Sequence, residues 1–238
     1  MNEWSRALAG ARFALLHGPA RRVLQLGTAL LALALFAAVT GSDRFVQSMT
    51  LLATVVGIGL GRQSVGYDRL TGRSVLYFQR AVSPLMHYSA QLLLGLGVLA
   101  AAVIAAAAAA TLAGDVPYPW VDAVGAFYWG ALLLIVSTAA SAIAPRRDLE
   151  LVLLLIALSG FQVLIANWLG FDGARALLRW LLIPVDAVFA TWQQWLRGNF
   201  TVAPEYGAPL VIYPLVWLAI LLLRLRRQDI GAAEYHVS

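Results

Sequence analysis

Six apolar runs, each near the length of a bilayer crossing, are separated by segments in which arginines gather: 23–40, 45–61, 88–114, 121–144, 149–171 and 210–223. A crossing takes about 20 apolar residues at roughly 1.5 Å rise each. In hydrocarbon the backbone must satisfy its own polar groups, so each run is expected to be a helix. The runs use about half of the 238 residues, and what remains is spread over short connections. One all-α membrane domain over 1–238 is expected, with no separate soluble domain. Composition agrees: 61% of residues are hydrophobic and 12% charged, against about 45–50% and 25% in a soluble domain. With no cysteine present, disulfide and thiol chemistry are excluded.

The cations set the expected orientation. All 17 are arginines. With six crossings, 13 fall on one side (Arg6, Arg12, Arg21, Arg22, Arg62, Arg69, Arg73, Arg80, Arg146, Arg147, Arg224, Arg226, Arg227) and 4 on the other (Arg44, Arg175, Arg179, Arg197). By the positive-inside rule both termini are cytoplasmic. Clusters of arginine between apolar runs are a topology signal, so no nucleic-acid partner is expected. Residues 1–22 lack a small-residue cleavage site after the arginines, and no removable signal peptide is read there.

Two connecting regions are predicted to lie along the membrane surface. Within 1–20, Trp4, Leu8, Ala11 and Leu15 recur at helical spacing opposite Glu3, Arg6, Gly10 and His17, the pattern of an interfacial helix. The 172–209 connection is apolar enough to suggest a seventh crossing, but it contains Arg175, Arg179, Asp186 and Pro184. Each charge costs about 2.5–3.5 kcal/mol at bilayer centre, and a seventh crossing would put the C-terminal arginines outside. Two short re-entrant or interfacial helices meeting at Ile183-Pro184 are expected instead, with Trp180, Trp192 and Trp195 at headgroup level.

Residue chemistry argues against an enzyme. His17, His87 and His236 lie in different segments and are expected to be solvated or interfacial, with no metal and no cofactor. Neither a P-loop nor a carboxylate pair inside a run is present. The runs carry only neutral polar groups at depth, whereas ion-coupled transporters place ionisable groups or broken helices there. Energy for any transport is therefore expected from outside the chain. Thr50, Thr54, Ser159, Gln162 and Asn167 are candidates for lining a pathway, with hydrogen bonding between helices the equal alternative. Gly57, Gly59, Gly61, Gly95 and Gly97 are expected to serve close helix packing.

The most distinctive stretch is 62–84. A hairpin between crossings needs only a few residues, yet here Asp68, Arg69, Thr71, Gly72 and Arg73 precede Val75, Leu76, Tyr77 and Phe78. A short amphipathic helix with exposed aromatics is expected, able to dock a partner.

The order of these parts resembles the ABC-2 type permeases, the membrane subunits of a class of ATP-binding cassette exporters. These begin with an elbow helix, as 3–17 does, and carry a cytoplasmic coupling helix after their second span. The similar residues here are Asp68-Arg69-Leu70-Thr71-Gly72-Arg73, Ala81-Val82-Ser83-Pro84 and Gln91-Leu92-Leu93; Ala81 and Gln91 stand where the family has proline and lysine. The family's re-entrant connection is matched by 172–209, and its basic C-terminus by Arg226-Arg227-Gln228-Asp229-Ile230. The resemblance implies that a separate ATPase subunit grips Asp68, Arg69, Thr71, Gly72, Arg73, Leu76 and Phe78. It also implies pairing with a second permease copy or a homologous permease, a pathway along spans two and five, and residence in a bacterial inner membrane, with ATP bound only on the partner. A chain with the same parts that anchors a larger membrane complex and transports nothing is the alternative.

Overall fold

Among the residues that the computed structural model describes (3–17, 20–39, 44–63, 65, 83–114, 116–170, 177–178 and 181–235), every regular element is helical. In chain order these are α1 (Glu3–His17), α2 (Ala20–Val39), α3 (Arg44–Arg62), α4 (Pro84–Ala113), α5 (Pro119–Ile143), α6 (Asp148–Gly160), α7 (Gln162–Leu169), α8 (Val185–Leu196) and α9 (Pro204–Tyr235). Five of them, α2, α3, α4, α5 and α9, are long and apolar enough to cross a membrane. The chain is an all-helical membrane protein.

Local chemistry sets the helix ends. Ser83 opens α4 from an extended backbone, its Oγ accepting the Met86 N–H at 3.3 Å. Pro84 follows in the first turn, where no N–H is needed. Gly114 closes the helix at φ 80°, a conformation that costs an L side chain but not glycine. α5 likewise starts on proline, at Pro119, and stops before Pro145. Asp148 and Glu150 sit in the first turn of α6, where the helix dipole favours negative charge.

At the centre of the bundle stands α5, with 72% of its apolar window buried against 22% for α9. Its most extensive partner is α3, and glycine sets the closeness of that contact. A Cβ on Gly57 would stand 2.5 Å from the Gly130 carbonyl oxygen, and one on Gly61 would stand 2.6 Å from Ser137 Cβ. Backbone therefore meets backbone, which is how helices gain dispersion energy in lipid. Gly59 faces α2 instead, where a Cβ would lie 2.5 Å from Val23, and Gly95 abuts Leu134 of α5. Gly97 faces open space, so four of the five glycines marked in the sequence are at packing contacts.

The predicted fifth crossing is divided. α6 and α7, of 13 and 8 residues, are separated by Phe161 at φ −96°, ψ 8°. Phe161 N–H still donates to Ala157 and Ile165 N–H to Phe161, so the ladder continues through the bend. Beside it the Ser159 hydroxyl donates to the Leu155 carbonyl at 2.6 Å, a competing bond known to bend helices.

α1 is seated on the start of α4. Glu3 Oε1 accepts the Ser83 N–H at 3.0 Å, and Ala7 and Ala11 bury against Ala90. A Cβ on Gly10 would touch the His87 ring at 3.6 Å. The buried face of α1 thus follows its small residues, while Trp4 of the predicted apolar stripe stays partly exposed. In the 172–209 region the chain changes course at Ile183-Pro184, as expected, before entering α8. Ahead of that point residues 177, 178 and 181 are helical, and Leu182 N–H donates to the Leu178 carbonyl at 2.8 Å.

Candidate functional site

The expected ATPase contacts Asp68, Arg69, Thr71, Gly72, Arg73, Leu76 and Phe78 lie outside the described residues. What the structure describes are the two feet of that segment, both fixed to the arginine-rich end of the bundle. At the first foot, Arg62 Nε donates to Asp148 Oδ2 at 3.2 Å, tying the last residue of α3 to the first of α6. The Asp148 side chain is 6% exposed and that of Arg62 43% exposed, so Arg62 neutralises a buried carboxylate while staying solvated itself. Val65, just beyond, is fully buried beside Tyr88, Ala139 and Leu221. At the second foot the Glu3 carboxylate holds Ser83 N–H at the beginning of α4.

Between the feet lies a buried polar cluster. His87 is 1% exposed, where the sequence suggests a solvated or interfacial histidine. Two neighbours account for this: α1 lies over the ring at Gly10, where even a Cβ would be in ordinary contact at 3.6 Å, and Gln91 one turn on places Nε2 3.1 Å from His87 Nε2. Gln63 and Gln91 line a cavity of about 20 Å³ with Thr138, and the Oε1 atoms of both glutamines are buried without a protein partner. That volume is enough for one water, which needs two or more polar partners and finds them here.

From the first foot a series of contacts runs the length of α3. Thr54 accepts the Trp129 Nε1–H of α5 at 2.8 Å and donates to the Thr50 carbonyl, while Thr50 donates to Val46. Trp129 is the tenth residue past Pro119, about 15 Å along α5, so this bond lies at mid-bilayer depth. Phe189 of α8 packs on Trp129 with ring centroids 5.6 Å apart, and Trp192 stacks on Phe189 at 5.8 Å and 14°. Trp192 Nε1 then donates to Asp122 Oδ1 at 3.1 Å, 70 residues away in the first turn of α5. Both partners are buried.

Trp192 is therefore turned into the bundle, at the level of the first turn of α5, and is not exposed on its surface. Its indole fills a hollow over Gly125, where a Cβ would come within 2.3 Å of Cδ2. Trp195, three residues on, is half-buried, and Trp180 lies outside the described residues. Neither the hollow nor the carboxylate is legible as a pair in the sequence, because the third member is so distant. Asp122 and Gly125 at i and i+3 on one helix face are the only local trace.

The pathway candidates separate into three places. Thr50 and Thr54 belong to the α3–α5 seam. Ser159 and Gln162 flank the α6–α7 bend, with Gln162 7% exposed and its Oε1 unpartnered. Asn167 is on an exposed face of α7 beside Trp168. None of the five lines either the cavity between the feet or the larger one at the opposite end of the bundle.

The chain matches no protein-family model, no curated protein and no solved structure. The geometry above and the order of parts along the sequence are what a functional reading has to stand on.

Proposed function

We propose that the chain is the membrane subunit of an ATP-binding cassette exporter in a bacterial cytoplasmic membrane, driven by a separate ATPase subunit that grips the 62–84 segment. The observation that carries this reading is the anchoring of both ends of that segment, through Arg62–Asp148 and Ser83–Glu3. A load applied there reaches α3, α4, α6 and α1 together. Along α3 it meets the close α5 seam, the Thr54–Trp129 bond and then α8 at the far end. Packed helices of this kind move as bodies between discrete arrangements, not by continuous bending.

In this reading α6 and α7 together make the sixth crossing, about 33 Å at helical rise, and both termini are cytoplasmic. The pathway runs along α3 and α6–α7 between two copies, or between this chain and a homologous permease.

Affinity purification of the tagged full chain, with mass spectrometry, tests the proposal. A soluble partner bearing a Walker motif is expected. Asp68→Arg or Arg73→Glu should lower the partner's stimulated ATPase activity while leaving the unfolding midpoint of the bundle unchanged. Stable recovery of partners that bind no nucleotide would instead support the anchoring role.

A further inference from the structure

At the end of the bundle away from the arginine clusters, a cavity of about 130 Å³ lies between α5, α8 and the start of α9. Its wall includes Val124, Tyr128, Val188, Val202 and Leu210, and the Tyr128 hydroxyl is already committed to the Leu210 carbonyl. Val124 and Val202 are exposed, so the cavity opens onto the apolar flank of the bundle, where Val211 is exposed as well. An apolar cavity of similar size is known to stay dry and to admit benzene.

Two further wall residues, Thr191 and Trp195, carry polar atoms without a protein partner. Thr191 Oγ1 and Trp195 Nε1 are both buried and make no hydrogen bond, and Thr191 as a whole is only 4% exposed. An indole N–H can only donate, so it requires an acceptor. Two residues past Trp195 stands Arg197, exposed at the end of α8. An apolar hollow, an acceptor-seeking pair and a cation therefore follow one another toward the membrane surface. That order matches an acyl chain, an ester carbonyl and a phosphate.

We infer that the cavity binds the carbonyl-proximal part of one acyl chain of a membrane phospholipid, with the ester carbonyl accepting from Trp195 and Thr191, the phosphate near Arg197 and the rest of the chain leaving through the mouth at Val124 and Val202. The bound lipid completes the wall between α8 and α9. Binding requires neither an ATPase partner nor transport, so it stands or falls apart from the function proposed above.

The test uses the full chain in vesicles of phosphatidylethanolamine and phosphatidylglycerol, doped with a phosphatidylcholine carrying a diazirine close to the carbonyl of one acyl chain. After illumination, adducts are mapped by peptide mass spectrometry. Labelling of 124–128 and 188–210 is expected to exceed that of lipid-exposed α4 residues such as Leu93 and Ile104 by about tenfold. Val124→Phe, and independently Val202→Phe, fills the mouth of the cavity and should bring the excess down to the α4 level. Trp195→Phe removes the donor and enlarges the hollow, and loss of the carbonyl contact should lower the excess several-fold despite the added room, with an unchanged unfolding midpoint. Uniform labelling of exposed residues, or an excess that survives both valine variants, overturns the lipid site. An excess indifferent to Trp195→Phe overturns the carbonyl contact and assigns the donors to water.

Discussion

Replacing Gly125 by alanine tests the closest contact at the far end of the bundle. The added Cβ would stand 2.3, 2.6 and 2.8 Å from Cδ2, Cε2 and Cε3 of Trp192. All three atoms belong to one rigid ring, so rotation cannot relieve the clash and the indole must retreat by about an ångström to reach ordinary contact. Such a retreat takes the 3.1 Å bond to Asp122 out of range and drives the ring toward Phe189, stacked behind it. Stranding a buried hydrogen-bonded pair costs about 1–3 kcal/mol, and disturbing the aromatic stack costs about 0.5–1.5 kcal/mol. Against this, alanine in a helix gains up to about 1 kcal/mol over glycine. The clash wins, and a net loss of about 2 kcal/mol is expected, roughly a thirtyfold change in the folded-to-unfolded ratio. The assay is denaturant unfolding of the full chain in bicelles, followed by near-ultraviolet circular dichroism of the tryptophans. In a Trp192→Ala background the clash is gone, so the same substitution should be neutral or stabilising. A Gly125→Ala loss below about 0.5 kcal/mol, or an equal loss in both backgrounds, refutes the account.

Three other substitutions or labels probe the remaining contacts. Arg62→Gln leaves the buried Asp148 carboxylate unpaired and should destabilise the fold by about 1–3 kcal/mol; Asp148→Asn leaves only a solvated arginine and should cost less, as unfolding midpoints of the two variants will show. Thr54→Val is nearly isosteric, deletes the bond to Trp129 and strands the indole N–H; an interhelical bond is worth on average about 0.6 kcal/mol in membranes, and in a Trp129→Phe background, where the N–H is already gone, a smaller loss from Thr54→Val is the expected sign of a real pair. Because the chain has no cysteine, single cysteines at residues 146 and 172 can be labelled cleanly with an impermeant maleimide in oriented vesicles. Opposite accessibilities are expected if α6–α7 crosses the bilayer, and equal ones would remove that crossing.

Much of the helical framework was legible because hydrocarbon allows few alternatives to a helix, so apolar run length alone placed α2, α3, α4 and α5 to within several residues, whereas α9 runs from Pro204 to Tyr235, well past both ends of the apolar run 210–223. Gly57 and Gly61 were legible for a related reason. In lipid, small residues are what allow backbones to approach, and their use does not depend on knowing the partner. The bend at Phe161 was not legible, because 149–171 is uniformly apolar and only Ser159 competes with the ladder there. The burial of His87 depends on α1, far away in sequence, folding back over α4, and no local pattern announces that contact. The same limit hid Trp192. A tryptophan on an amphipathic helix between crossings reads as an interfacial anchor, and only a carboxylate and a missing Cβ on α5 turn it inward.

That inward turn bears directly on how the two ends of the molecule communicate. With Trp192 turned outward, α8 would lose its bond to Asp122 and its seat over Gly125, keeping its contacts with α9 and α6. Instead Trp192, Phe189 and Trp129 form one aromatic series ending on Thr54, two turns above Arg62. Each junction is side chain on side chain within van der Waals or hydrogen-bond range. A displacement of α3 relative to α5 must therefore either break the Trp129–Thr54 bond or carry α8 with it. With the α3–α5 backbones already in contact at Gly57 and Gly130, sliding along the seam is the motion that avoids collision. Such sliding moves Thr54 along the helix axis past Trp129, so this bond is one junction between α3 and the elements on which α8 packs, beside the contacts of α8 with α6 and α9.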